Sequence, residues 1–287
     1  MKKLSGVWLP IITPFYENEI DYVSYQKLID HYSDKGIKGL IPNGTTGECP
    51  TIEEDEMEKL LDKTMEFNHG RLPVYFGLGG NNTHKLVKQL KIIEKYKIEG
   101  ILSVSPYYSR PDQNGIIQHF TKISESTDLN IIIYNIPYRT GRNIENETLL
   151  KLAELKNIIG VKDSSGNINQ SMELIQNCPT DFSVLTGEDI LFYVILVLGG
   201  DGGILAASHL ETEKFTEIFD LVKQNNHQSA LEIWNKISKF IPLLFQDPNP
   251  GPIKYYLAKK GLIKSDEVRL PLAQISDGLK RKLDQFV

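Results

Sequence analysis

Two short runs decide the fold: Asn130-Ile131-Ile132-Ile133-Tyr134-Asn135 and Ile158-Ile159-Gly160-Val161-Lys162. Each is a continuous β-branched stretch, the pattern of a strand covered on both faces, not the alternation of a half-exposed one. Working outward, runs of the same kind recur at Gly6–Leu9, Gly39–Pro42, Pro73–Gly77, Gly100–Val104, Phe182–Thr186 and Gly203–Ala206, bounded by Gly, Pro, Asn or Asp. That makes eight runs at intervals of about 20 to 36 residues. Helical spacing fills the gaps, as in Leu86, Leu90, Ile93 and Tyr96 with Lys and Gln between them. Thr51-Ile52-Glu53-Glu54 reads as a capping box, with the acids through Glu56 gathered at a helix N-terminus that attracts negative charge. Strands alternating with helices predict an α/β fold, a closed (β/α)8 TIM barrel over residues 1–223. A doubly wound open sheet is the alternative, and the regular spacing favours closure. After about residue 224 the strand signal stops. Helical patterns at Ala230–Leu244 and Ile253–Lys260, separated by Asp247–Pro252, predict a C-terminal helical extension over 224–287.

Composition narrows the function classes. The 287 residues carry 32 Lys and Arg against 37 Asp and Glu, a net charge of −5, and no segment gathers the positive charge. Nucleic acid and anionic membrane are therefore not expected partners, since both need a basic stripe. Cys49 and Cys178 are too few for a disulfide framework and suit a reducing cytosol, so a cytoplasmic location is expected. The longest strongly apolar run, Ile190–Leu198, is about half of what a membrane helix requires. His31, His69, His84, His119, His209 and His227 show no paired ligand spacing, which argues against a metal site. Gly199, Gly200, Gly202 and Gly203 precede a strand, whereas a dinucleotide loop follows one.

In a barrel of this kind the chemistry sits at the C-terminal ends of the strands and on the loops that follow. Lys162 stands out there. It closes an apolar run, where desolvation lowers a lysine pKa and a partly neutral amine can attack a carbonyl to form a Schiff base. A strand-end lysine that reaches solvent or pairs with Asp163 is the competing reading. Tyr134 ends the preceding run, so in a closed barrel its phenol can approach the amine and move the protons that Schiff-base formation needs. Gly44-Thr45-Thr46-Gly47-Glu48 follows the second run and offers hydroxyls and successive N–H groups, a cradle for a small carboxylate. Glu188 and Asp189 after the seventh run disfavour a phosphorylated substrate.

Taken in order, Gly44–Glu48, Pro106-Tyr107-Tyr108, Tyr134-Asn135-Ile136-Pro137, Arg139-Thr140-Gly141, Gly160-Val161-Lys162 and Asn249-Pro250-Gly251-Pro252-Ile253-Lys254 resemble the dihydrodipicolinate synthase / N-acetylneuraminate lyase family of pyruvate-dependent class I aldolases. The resemblance spans nearly the whole chain. It implies that Lys162 forms the Schiff base with pyruvate, that Tyr134 shuttles protons, and that Thr45 relays them to Tyr108, which reaches a neighbouring subunit's site. Thr46, with backbone N–H groups of its turn, would bind the pyruvate carboxylate, and Gly187 and Ile204 would line the pocket. Arg139 would hold the carboxylate of aspartate semialdehyde, for which a planar guanidinium fork is suited. The resemblance implies no metal or organic cofactor, and a homotetramer built as a dimer of dimers.

The aldehyde is less tightly specified. Asp163-Ser164-Ser165-Gly166 replaces the Glu-Ala-Thr-Gly common in the synthase branch, so a keto-deoxy sugar-acid or N-acetylneuraminate lyase is the alternative. A non-catalytic keto-acid binder is a third, weakened by the intact set of Lys162, Tyr134 and Thr45. Asn81 and Tyr107 match residues that bind feedback lysine in sensitive synthases, while Glu54, Met57 and Lys85 depart from that pattern. Lys85 puts a cation where the effector's ammonium should bind, so weak or absent lysine inhibition is expected.

Overall fold

A computed structural model describes residues 3–286. All eight expected runs are strands: β1 Gly6–Leu9, β2 Gly39–Leu40, β3 Tyr75–Gly77, β4 Gly100–Val104, β5 Asn130–Asn135, β6 Ile158–Asp163, β7 Ser183–Thr186 and β8 Gly202–Ile204. They form one sheet in the order β2-β1-β8-β7-β6-β5-β4-β3, and the paired registers are parallel. Leu40 N donates to Pro73 O, just before β3, at 3.0 Å. With helices between successive strands, this is the expected (β/α)8 barrel and not an open doubly wound sheet.

The strands are apolar because both faces are covered: Ile131, Ile132 and Ile133 of β5 are all fully buried. Between β6 and β7 the approach is so close that a Cβ on Gly160 would lie 2.6 Å from Ser183 O. Only glycine fits there. By contact density the described residues fall into two compact units. One gathers Val74–Ile204 with the chain before Val7; the other holds Val7–Pro73 with the chain from Leu205 onward.

Helix starts follow local chemistry. Asn82, Asp112 and Asn167 each cap the helix after their strand by accepting a backbone N–H in the first turn. The expected capping box lies two residues further on. Thr51 ends a 3-10 turn, Cys49–Thr51, and its hydroxyl donates to Glu48 O. The reciprocal box is Glu53 with Glu56, opening the helix Glu54–Asn68 with Glu54, Asp55 and Glu56 in its first turn. The expected helical stretch Ala230–Leu244 is likewise divided. Helix His227–Ile237 stops, and a 3-10 turn, Ile241–Phe245, follows with Pro242 as its second residue, whose missing N–H cannot continue an α-helix. Helices Gly251–Lys259 and Asp277–Leu283 complete the C-terminal region. An antiparallel pair of two-residue strands, Phe15–Tyr16 and Glu19–Ile20, has no counterpart in the sequence reading. Among the described residues no helix is long and apolar enough to cross a membrane.

Candidate active site

Lys162 and Tyr134 meet because of one extra residue. Along β5 and β6, Ile131 pairs with Ile158 but Ile132 pairs with Gly160, so Ile159 is a bulge. Without it Val161 would oppose Tyr134; with it Lys162 does. A one-residue slip changes the face each side chain takes, so the bulge decides where the amine points.

The amine is buried, and among the described residues no carboxylate forms a direct ion pair with it, although Asp189 and Glu188 act on it from further off. Lys162 is 6% exposed, and its Nζ sits 4.2 Å from the centroid of the Tyr134 ring. Asp163, the partner in the competing reading, is committed elsewhere. Its carboxylate accepts from Ser165 N at 3.0 Å, Ser165 Oγ at 3.1 Å, Ser171 Oγ at 2.6 Å and Asn135 Nδ2 at 3.4 Å. Burial lowers the Lys162 pKa from 10.5 to about 8; Asp189 and Glu188 oppose this, and Arg139 reinforces it. At pH 7 about 9% of such amines are neutral, against roughly 0.03% of ordinary lysines. Lys162 is thus a buried amine of lowered pKa, neither reaching solvent nor paired with Asp163.

Tyr134 is buried too, and burial pushes its phenol well above the ordinary range, so it is a protonated donor. Ser164 Oγ is buried and makes no hydrogen bond within 3.5 Å. It is still near enough to the phenol to temper that rise. Gly187 leaves no room for a side chain: a Cβ there would come within 2.5 Å of Lys162 Cε and closer still to Ser164 Oγ. Glu188 is half-buried, and burial raises its carboxyl pKa while Lys162 lowers it.

Arg139 lies on a four-residue helix, Pro137–Thr140, exposed, with its guanidinium 5.7 Å from the Tyr138 ring centroid. Asn135 steadies the loop beyond that turn, donating to Asn143 Oδ1 at 2.9 Å and accepting from Ile144 N at 3.0 Å. Arg110 Nε ties in Gly141 O at 2.8 Å. Ile204 ends β8, fully buried. Tyr108 stands out at 92% exposure with a left-handed φ of 67°, a costly backbone for a side chain of its size. Lys162, Tyr134, Arg139 and Gly187 are thus brought together, while Tyr108 projects from the surface.

Thr45 and Thr46 belong to the second unit. Within their turn Glu48 N donates to Thr45 O at 3.1 Å and Cys49 N to Gly44 O at 3.2 Å. The N–H groups of Thr45, Thr46 and Gly47 take no part in these backbone bonds. Thr46 Oγ1 accepts from Asn249 Nδ2 at 3.0 Å. Glu48 and Lys254 form an ion pair with both side chains fully shielded. Lys254 Nζ also donates to Glu267 O at 2.8 Å, and Arg269 N donates to Glu48 Oε2 at 3.0 Å. Local sequence spacing gave no role to Ser164 beside the amine, nor to Asn249 and Lys254. Among the described residues no cluster of three or more His, Cys, Asp or Glu could hold a metal ion.

Comparison with known proteins fits this geometry. Residues 3–287 match the model of the dihydrodipicolinate synthetase family. The chain is 57% identical over 285 residues to 4-hydroxy-tetrahydrodipicolinate synthase 2 of Clostridium acetobutylicum, covering 99% of this chain and 100% of that one. The crystal structure of dihydrodipicolinate synthase from Thermotoga maritima superposes with a TM-score of 0.96 at 37% identity, covering 99% of this chain and 98% of the other. A dihydrodipicolinate synthase from Cyanidioschyzon merolae, solved with lysine bound, gives 0.95 at 33% identity, with coverages of 98% and 96%. The chain belongs to the dihydrodipicolinate synthetase family.

Proposed function

We propose that this protein is a Schiff-base lyase that condenses pyruvate with aspartate semialdehyde, the reaction of a 4-hydroxy-tetrahydrodipicolinate synthase. The observation that carries the reading is the buried Lys162 amine, unpaired and lying over the Tyr134 ring. The neutral amine attacks C2 of pyruvate to give a carbinolamine. Tyr134 donates the proton that lets the C2 hydroxyl leave as water, forming the protonated Schiff base. Loss of a proton from C3 gives an enamine, which attacks the aldehyde carbon. The amine of the new chain then displaces Lys162, closing the ring and freeing the enzyme.

The remaining roles follow the family resemblance. Thr46 and the N–H groups of its turn take the pyruvate carboxylate, and Thr45 relays protons to Tyr108. Arg139 holds the semialdehyde carboxylate through its guanidinium fork. Gly187 and Ile204 line the pocket. The covalent work is done by the lysine itself, so no metal or organic cofactor is required. The exposed Tyr108 fits a residue that completes a neighbouring subunit's site in a tetramer, and the biosynthetic reaction fits the cytoplasm.

Borohydride reduction in the presence of pyruvate tests this reading. The expected result is a stable mass adduct located at Lys162, with turnover of aspartate semialdehyde exceeding that of keto-deoxy sugar acids. Absence of the adduct in the wild-type protein, or its appearance on another lysine, would overturn it.

A further inference from the structure

The turn Gly44–Glu48 is held by side chains that arrive from about 200 residues further along the chain. Asn249 Nδ2 meets Thr46 Oγ1 across a separation of 203 residues, and Lys254 meets Glu48. Both come from the segment that opens helix Gly251–Lys259. Thr46 is 3% exposed and Asn249 7%, so neither exchanges this contact readily for water.

The direction of that hydrogen bond matters. An amide N–H can only donate, so the Thr46 oxygen is the acceptor and its own proton must point elsewhere. Turning the Asn249 amide over would not serve as well. Oδ1 is buried and has no partner, so a flip would leave both N–H donors of the amide unpaired where one is now bonded to Thr46.

We infer that Asn249 is a positioning residue that fixes Thr46 as a hydrogen-bond donor toward the substrate carboxylate. The inference rests on the reading that Thr46 binds that carboxylate. Asn249 supplies polarity where a merely space-filling residue would supply shape. Lys254 acts at the other end of the turn, where its ion pair fixes Glu48, a residue with a left-handed φ of 57°. The C-terminal region is thereby part of the binding apparatus for the small anion.

The test uses full-length protein and the pyruvate concentration that half-saturates borohydride trapping. Asn249→Ala should raise it roughly 10-fold while the trapping rate at saturation stays within about two-fold, the size of one hydrogen bond to a charged group. Asn249→Asp should be worse than alanine, although it matches asparagine in shape. Its carboxylate only accepts, so it takes the Thr46 proton and adds a negative charge beside an anion. A residue needed for shape alone gives the opposite order, aspartate milder than alanine, and that order overturns the inference.

Thr46→Val supplies the control. If Asn249 acts through the Thr46 hydroxyl, adding Asn249→Ala to Thr46→Val changes the half-saturation no further. Full additivity, with Thr46→Val itself impaired, overturns the inference and leaves the proposed function standing. Unchanged half-saturation in Thr46→Val removes the carboxylate role of Thr46, and the inference falls with it. Loss of trapping in wild type is the separate result that defeats the proposed function.

Discussion

Replacing Lys162 by methionine should end the chemistry and stabilise the fold. The gap between 10.5 for the amine in the unfolded chain and about 8 in the folded one corresponds to about 3 kcal/mol, at about 1.4 kcal/mol per pH unit. Its sign follows from proton counting. Below pH 8 the amine is charged in both states, folding buries a cation, and the whole penalty is present. Between pH 8 and 10.5 the unfolded chain holds more protons than the folded one, so wild-type stability climbs with pH. Above 10.5 the penalty is gone. Methionine has a similar length and no charge, so it keeps the packing over Tyr134 and removes the desolvation cost. Urea unfolding of both proteins across this range is the assay. Methionine should win by about 3 kcal/mol at pH 7, and the two curves should converge as pH passes 10.5. A methionine variant no more stable than wild type at pH 7, or an advantage flat across pH, would refute the claim that burial depresses this amine.

Other perturbations separate the remaining parts of the site. Gly187→Ala places a Cβ against Lys162 Cε and Ser164 Oγ, so borohydride trapping with pyruvate should slow by roughly 100-fold or more, with little loss of melting temperature, if the pocket needs that space. Arg139→Ala should still trap pyruvate at Lys162 yet lose at least about 100-fold in kcat/KM for aspartate semialdehyde; unchanged turnover would remove Arg139 from the aldehyde site. Pyruvate trapping by the wild type should rise with pH toward a plateau above about 8 as the Lys162 amine loses its proton. A rate already flat from pH 6 upward would mean that the amine is neutral for another reason. Sub-millimolar lysine should leave steady-state rates unchanged, because the family resemblance sets the Lys85 cation where an effector's ammonium would bind. Strong inhibition in that range would show that the cation is tolerated.

The strands were legible because strands covered on both faces leave an unambiguous trace. Eight apolar runs bounded by turn residues coincide with β1–β8 to within a few residues. The hairpin at Phe15–Tyr16 and Glu19–Ile20 was not legible, since two residues carry no periodicity. The capping box was misplaced because Thr51 has the right chemistry for a cap but closes a 3-10 turn before the helix begins. Sequence left Lys162 open between a nucleophile and a partner of Asp163. What weighs against the pairing is three-dimensional, a bulge at Ile159 that sets Lys162 opposite Tyr134 and the capture of Asp163 by serines and an asparagine. That the Ser164 hydroxyl is buried without a partner was not legible, because an orphaned hydroxyl is defined by what surrounds it. Its branch-atypical motif pointed toward sugar acids, whereas the relatives cited above are named as synthases.

The bond from Asn249 to Thr46 also sets a time. A ribosome adding about 5–20 residues per second needs roughly 10–40 s to travel the 203 residues between them. For that interval the emerging turn has its threonines but neither the amide that orients one nor the lysine that neutralises Glu48. A nascent chain that has already laid down Lys162 and all eight strands therefore still lacks the bond from Asn249 to Thr46. On the reading that Thr46 holds the carboxylate, competence waits for Asn249 to emerge, 203 residues after the turn.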